Sequence, residues 1–500
     1  MPGPPEASGL LSSRDPTPAI GPDRGTSNSP MQLPGHTQPS ADTDILPDLS
    51  PVTSTAPPSP ARTPDPTASF RRLPPGSLGL LALVALIVVS SLPVAASAQF
   101  RSAETDPGTL SLPIGLLPLL AIWVVPALLA AVAATGSFLD ALAAPAVSLA
   151  LAGYLWGLAT APNSITPGRS AVFALALFAT GSFAAWVGYR WGWSVTRRAL
   201  VLGLGIVALG GLVSGVVGPE WALRPNVWEP WQVARLAGAT AGPNQIGQFG
   251  GLLAIVSAVG IRRRPRPGAV AVAGLLLGSA CVLWSQTRTA GGALILALVV
   301  LTVVRWRWRG MLWGLVATAI VAVTVVATIS PTRSQLTRPV LRYQSVDKLL
   351  TLTERTGLWA VAVDDIAERP VTGWGAGAAR RLYHDHWSAG EYETQAATVP
   401  TNSHNRLLDT AQTLGLVGAV LQVASLAVLV ALILRRRRLE LVPVVVYLLA
   451  TSLAMPIPGL PTPVTLAWFA VLGAASAPVP AAAEVSVEEA TVSTRQSVPS

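Results

Sequence analysis

The stretch CVLWSQTRTAGGALILAL, residues 281–298, joins two apolar runs through a short polar turn, and an arginine stands inside that turn. The runs extend to 268–286 and 290–304. The first has the roughly 17 to 25 residues needed to cross the hydrocarbon core of a bilayer, and the second comes close to it. A helix satisfies its backbone hydrogen bonds within one segment, so both runs read as membrane helices. The tight turn near 286–290 is too short to lift Arg288 into bulk water. An arginine at membrane depth costs roughly 2.5 to 3.5 kcal/mol at a helix centre and less near an interface. Arg288 therefore either snorkels to the surface or faces a polar cavity in the bundle, and this stretch alone leaves both open.

Working outward, the same pattern recurs along the chain. It has 500 residues, of which 51% are hydrophobic and 12% charged, which is too apolar for a soluble protein of this size. The expected fold is an all-α polytopic membrane protein of about twelve spans. These lie near 78–98, 113–134, 138–158, 169–189, 198–217, 245–261, 268–286, 290–304, 310–330, 411–434, 440–456 and 462–477. Residues 1–72 are rich in Pro, Ser, Thr, Gly and Asp and read as a disordered tail, because they cannot bury enough apolar surface to offset their ordering entropy. Residues 478–500 read the same way, which leaves 73–477 as one transmembrane domain. The first apolar run starts too late for a signal peptide. The single cysteine, Cys281, excludes an internal disulfide and a cysteine metal cluster.

The net charge of +9 is almost wholly arginine, Lys348 being the sole lysine. The arginines cluster in short loops: Arg190, Arg197 and Arg198, then RRRPRP at 262–267, RWRWR at 305–309 and RRRR at 435–438. Such clustering argues for membrane orientation rather than nucleic-acid binding, and the positive-inside rule makes that side cytoplasmic. Both tails then lie inside. The opposite side receives 218–244, the turn at Arg288 and a long segment, 331–406, with nine basic and eight acidic residues. A loop that long is functional or disordered. Within it Leu358, Val361, Ala362 and Ile366 recur at helical spacing, Thr353 can cap the start and Pro370 follows the end. GWGAG at 373–377 then reads as a flexible turn.

Four polar features fall on that outer side. Arg235 and Asn244 precede the sixth span, where Asn244 can cap a helix and Arg235 can anchor at the interface. Arg288 is the second. Arg355, at the head of the loop helix, is the third; alone it reads as a solvated charge, but beside Arg288 it would form a doubly cationic pocket. Two guanidinium forks suit bidentate recognition of phosphate or pyrophosphate. The fourth is His404 with Asn405, where a polar stretch turns apolar. An imidazole titrating near 6.5 suits proton abstraction, though a lone histidine at such a border is commonly structural. His384 and His386 in YHDHW raise a metal site, weakly, since no third ligand is clear.

Order and spacing add what single features lack. The elements RLAGATAGPN at 235–244, SQTRTAGG at 285–292, Arg355 and Trp359 leading to DIAERPVTGWGAG at 365–377, and SHNRLLDTAQTLGLVGAV at 403–420 together resemble the O-antigen ligase and Wzy-type polysaccharide polymerase superfamily. The resemblance covers roughly residues 200 to 456, and this chain has Thr287 where that family usually has serine.

That resemblance implies a glycosyltransferase acting at the outer face of a bacterial plasma membrane, on a glycan carried by polyprenyl pyrophosphate. It implies essential roles for Arg288, Arg355 and His404. Substrate binding by Arg235, Asn244 and Asn405 is a further expectation. The implied partners are the lipid-linked donor, a glycan or other hydroxyl acceptor, and the bilayer, with no cofactor, nucleotide sugar or metal. The alternative from another class is a secondary transporter or lipid flippase, which would predict paired repeats and midplane charges.

Overall fold

A computed structural model describes residues 77–92, 117–218, 221–224, 234–240, 242–261, 268–305, 355–388, 402–453 and 461–478. The two tails, the RRRPRP cluster, the span expected at 310–330, the Thr353 cap and much of the outer segment lie outside the described residues.

The described chain is overwhelmingly helical. In order it forms α1 (Ser77–Ser91), α2 (Leu117–Ala133), α3 (Thr135–Ala143), α4 (Pro145–Thr160) and α5 (Pro167–Val217). A short strand pair follows, β1 (Leu223–Arg224) and β2 (Arg235–Leu236), then α6 (Pro243–Gly260) and α7 (Ala269–Ser285). Next come α8 (Arg288–Arg305), α9 (Arg355–Glu368) and α10 (Ala379–Ser388). Last are α11 (Arg406–Arg435), α12 (Val442–Ser452) and α13 (Pro463–Ser476). Three of the described helices, α5, α8 and α11, are long and apolar enough to cross a membrane, or four spans if α2 and α3, bent by 113°, count as one.

Two long elements conceal more than one straight helix. Gly192 interrupts α5 at φ +67° and ψ 177°, a conformation open to glycine and costly for residues with a Cβ. Nine residues of straight helix rise about 13.5 Å. Yet Thr196 Oγ1 donates to the Val187 carbonyl at 3.5 Å, so the chain turns back on itself at Gly192. Its two arms match the separate spans expected at 169–189 and 198–217. Gly415 breaks α11 in the same way, at φ +70° and ψ −179°. Arg406 reaches the Gln422 carboxamide at 3.2 Å, across a separation of about 24 Å in a straight helix. The apolar arm that can span the membrane therefore begins after Gly415, and a separate short helix from Arg406 precedes it.

Lipid chains are as apolar as leucine, so membrane helices associate through close packing rather than through the hydrophobic effect. The closest approaches here are backbone to backbone. A Cβ on Gly188 of α5 would meet the Ala470 carbonyl of α13 at 2.1 Å, and one on Gly473 would meet Ala185 at 1.9 Å. Gly250 and Gly278 make the corresponding reciprocal contact between α6 and α7.

The α5 hairpin defines two ends of the bundle. At one end Gly192 turns, and there arginines close the C-termini of neighbouring helices. Arg305 donates to the Val259 and Ile261 carbonyls at the end of α6. Arg436 donates to Ser476 and Ala477 at 2.7 Å, and Arg438 to Ala477 at 2.6 Å, at the end of α13. A cation there satisfies orphan carbonyls and complements the negative end of the helix dipole. At the other end both α5 arms finish, and Ser164, Ser170, β2, the start of α6 and the start of α8 gather.

Candidate functional site

The first half of the site is assembled around Arg235. Strand pairing sets Arg224 opposite Arg235 and Leu223 opposite Leu236, which fixes the direction of the segment. Gly238, at φ +57°, lies against the backbone of Gly211 in α5, where a Cβ would come within 2.7 Å of Gly211 Cα. So held, Arg235 donates through Nε to the Ser285 carbonyl at 2.9 Å and through Nη2 to Asn244 Oδ1 at 3.0 Å. Asn244 does not cap α6 as the sequence led one to expect. The cap position is Gly242, with no side-chain bond, and the carboxamide orients Arg235 instead.

The turn before α8 is made by Gln286, which ends α7 in the left-handed conformation at φ 53°. Ser285 Oγ then donates to Thr287 Oγ1 at 3.0 Å, and Thr287 Oγ1 donates to the Pro243 carbonyl at 3.0 Å. The hydroxyl at position 287 thus ties the turn to α6, a role serine or threonine can fill. Arg288 follows, close enough to Arg235 that the two guanidinium charges oppose one another. Burial first, and the Arg288 charge second, push the Arg235 pKa down. Arg288 Nε and Nη2 are buried and have no hydrogen-bond acceptor among the described residues. Buried donors of this kind cost about 1–3 kcal/mol each, more when charged, unless something accepts from them.

The second half joins Arg355 to His404. Arg355 opens α9, and burial holds its pKa below the ordinary arginine value. His404 sits at φ 55°, a left-handed conformation that is uncommon outside glycine, though histidine enters it more readily than most residues. The surroundings are specific. Trp359 Nε1 donates to the Ser403 carbonyl at 2.9 Å, and Ser403 donates through N and Oγ to Asp409 Oδ1 at 2.8 and 2.7 Å. On the other flank Asn405 caps α11, its Oδ1 accepting from Leu407 at 3.0 Å and Leu408 at 3.3 Å. The His404 backbone N–H goes to Asn402 Oδ1 at 3.1 Å, with the ring left out of the network. Burial, and next the Arg355 charge, push the imidazole down to about 4. At neutral pH it is an uncharged base.

No hydrogen bond or ion pair among the described residues joins the Arg235–Arg288 pair to the Arg355–His404 pair. What they share is the end of the bundle and a common electrostatic setting. Arg288, Arg355 and Arg406 are each the first residue of a helix, where the dipole is positive and favours anions. Cations concentrated at helix N-termini repel that field, and an anion bound among them reverses the sign of the interaction.

The rigid frame for His404 comes from the segment after α9. Trp374 N donates to the Gln412 carbonyl at 3.0 Å, Gly375 N to Thr413 at 2.8 Å, and Leu416 N to Pro370 at 2.7 Å. The groups freed by the break at Gly415 are therefore satisfied by residues 370–375. This GWGAG turn, expected to be flexible, is pinned: Gly373, at positive φ, lies directly on the backbone of Thr413 and Gly415, and Gly375 and Gly377 lie against the side chains of Ser164 and Phe173. Asp365, 2% exposed, sits beneath: it accepts from Gln412 Nε2 at 2.6 Å, and its other oxygen lies 2.9 Å from His386 Nε2. Sequence reasoning missed Asp365, although it lies seven residues after Leu358 on the buried stripe of α9, where a carboxylate signals a partner. It missed Arg406 too, whose guanidinium lies 5.4 Å from the centre of the Trp468 ring.

Residues 273–423 match a protein-family model described as O-antigen ligase. Over that stretch, about a third of its length, the chain is similar to the O-antigen ligase family. The match takes in Thr287, Arg288, Arg355, Asp365, His404 and Asn405, while Arg235 and Asn244 precede it. That similarity and the long apolar helices support a membrane protein with a ligase- or polymerase-type role in polysaccharide assembly. No curated protein matches the chain.

Proposed function

We propose that this chain, like the O-antigen ligases it resembles, transfers a glycan from polyprenyl pyrophosphate to an acceptor hydroxyl, without nucleotide sugar or cofactor. The observation that carries the reading is the partly buried Arg288 beside Arg235, whose buried Nε and Nη2 donors meet no acceptor among the described residues. A pyrophosphate supplies several oxygens to such forks and neutralises both charges.

In the reaction the acceptor oxygen attacks the anomeric carbon as the bond from that carbon to the pyrophosphate oxygen breaks, with inversion. Arg288 and Arg355 stabilise the negative charge that grows on the leaving pyrophosphate. His404, neutral at pH 7, takes the proton from the attacking hydroxyl. Arg235, Asn244 and Asn405 hold substrate or the groups that do so. His404 stands where the two substrates meet, the lipid-borne donor arriving among the apolar helices and the acceptor from the aqueous side.

The end of the bundle that bears Arg190, Arg197, Arg305 and Arg435 to Arg438 would be cytoplasmic in a bacterial plasma membrane. About twelve spans would place both tails inside, 331–406 as the outer loop and the candidate site on the extracytoplasmic face. The test is transfer in purified protein supplied with lipid-linked glycan. His404→Ala and Arg288→Ala should each lower transfer about a hundred- to ten-thousandfold with folding intact. Wild-type rates in both would refute the reading. The lipid-linked glycans of a deletion strain separate the two activities within the class: accumulated single repeat units mark a polymerase, accumulated long chains a ligase.

A further inference from the structure

At the far end of the bundle the turn of the α5 hairpin lines an open polar cavity, which the transfer reading does not use. Its volume is about 580 Å³, and its lining includes Arg190, Trp191, Trp193, Arg197, Arg438 and Glu440. That volume falls within the range of roughly 300–1,000 Å³ typical of small-molecule sites. Three guanidinium groups against one carboxylate make the lining cationic. Trp193 is 7% exposed, and its indole N–H is buried with no acceptor among the described residues. A buried donor without an acceptor, inside a cationic wall, points to an anionic acceptor from outside the protein.

The cavity's position narrows the ligand class. Asn244 stands at the start of α6 and Gly260, which lines the cavity, at its end. Those 18 residues rise about 27 Å, close to the roughly 30 Å thickness of a hydrocarbon core. The cavity therefore lies at the membrane–water boundary opposite Arg288. Trp191 and Trp193 are residues that favour such a boundary. Basic pockets between membrane helices at this level are suited to anionic headgroups.

We propose that this cavity binds a phosphate anion, with Arg190 and the Trp193 N–H as its determining groups. A phospholipid headgroup and free phosphate share that chemistry, and the geometry at the boundary favours the headgroup. The full chain, reconstituted in nanodiscs of phosphatidylcholine with or without phosphatidylglycerol, tests it by native mass spectrometry of retained lipid. A parallel arm titrates inorganic phosphate into the phosphatidylcholine discs and reads tryptophan fluorescence. Wild-type protein should retain phosphatidylglycerol selectively. Arg190→Gln, and independently Trp193→Phe, which keeps the ring and loses the donor, should each weaken retention roughly tenfold. Arg198→Gln, an exposed arginine on the same face that does not line the cavity, should leave retention unchanged. Saturable binding of inorganic phosphate that is lost in Arg190→Gln, without lipid selectivity, would uphold the anion site and assign it to soluble phosphate. Binding of neither ligand, or equal loss from Arg190→Gln and Arg198→Gln, would overturn the proposal.

Discussion

Replacing Gly415 by alanine tests how the outer segment is held against the bundle. At φ +70° and ψ −179° the backbone occupies a region essentially reserved for glycine, and a residue with a Cβ there costs on the order of 1–3 kcal/mol. The new methyl would also meet the Val371 carbonyl oxygen at 2.0 Å and Gly373 N at 2.9 Å. Those atoms are backbone, pinned by three hydrogen bonds between residues 370–375 and 412–416, so they have nowhere to retreat without breaking them. Losing three such bonds costs about 0.5–1.5 kcal/mol each. The combined expectation is a loss of roughly 3–7 kcal/mol. Because the same contacts position α9 against His404, transfer should fall along with the thermal midpoint of the full chain in detergent. Gly205→Ala is the control, since a Cβ there meets nothing within 4 Å and only gains helix propensity. If Gly415→Ala melts and transfers like wild type, the docking of 370–377 onto the broken helix is not what holds the site.

Three further outcomes follow from the geometry. The acidic limb of kcat/KM for glycan transfer should report a free-enzyme base near pH 4, the value to which burial and Arg355 hold His404. Since a lowered imidazole pKa means proton loss at lower pH, Arg355→Gln should move that limb upward toward the ordinary 6.5, and a limb already near 6.5 in wild type would contradict the pairing. Arg288→Lys keeps the charge and removes the planar fork, so KM for the lipid-linked donor should rise several-fold while thermal stability stays within about 1 kcal/mol of wild type. Asp365→Ala removes the acceptor of the buried Gln412 amide, at about 1–3 kcal/mol, together with the contact to His386, and proteolysis of the outer segment should accelerate accordingly.

Much of this was legible in the residues. The loop helix foreseen from Leu358, Ala362 and Ile366 is α9, ending before Pro370 as a proline requires. The reversal between the runs around Arg190 and Arg197 is real, but what makes it is Gly192, whose role shows only in its dihedral angles. The sequence placed an apolar span at 411–434, where an apolar helix does run. It also ran the span through Gly415, because a glycine inside an apolar run looks the same whether it continues a helix or breaks one. Asn405 rather than Asn244 caps a helix for a related reason: either carboxamide can cap, and the neighbour within reach decides which one does.

By itself, the order of residues determined that the chain is built of membrane helices, which arginines gather at which end, and which few polar groups are candidates for chemistry. Hydropathy and charge act over one or two helical turns, so they can be read locally. Only the tertiary structure decided that Arg235 stands against Arg288 and Arg355 against His404, and that residues 370–375 close the broken helix. Burial, like-charge proximity and a left-handed imidazole come from segments tens of residues apart meeting in space, and nothing local in the chain encodes that meeting.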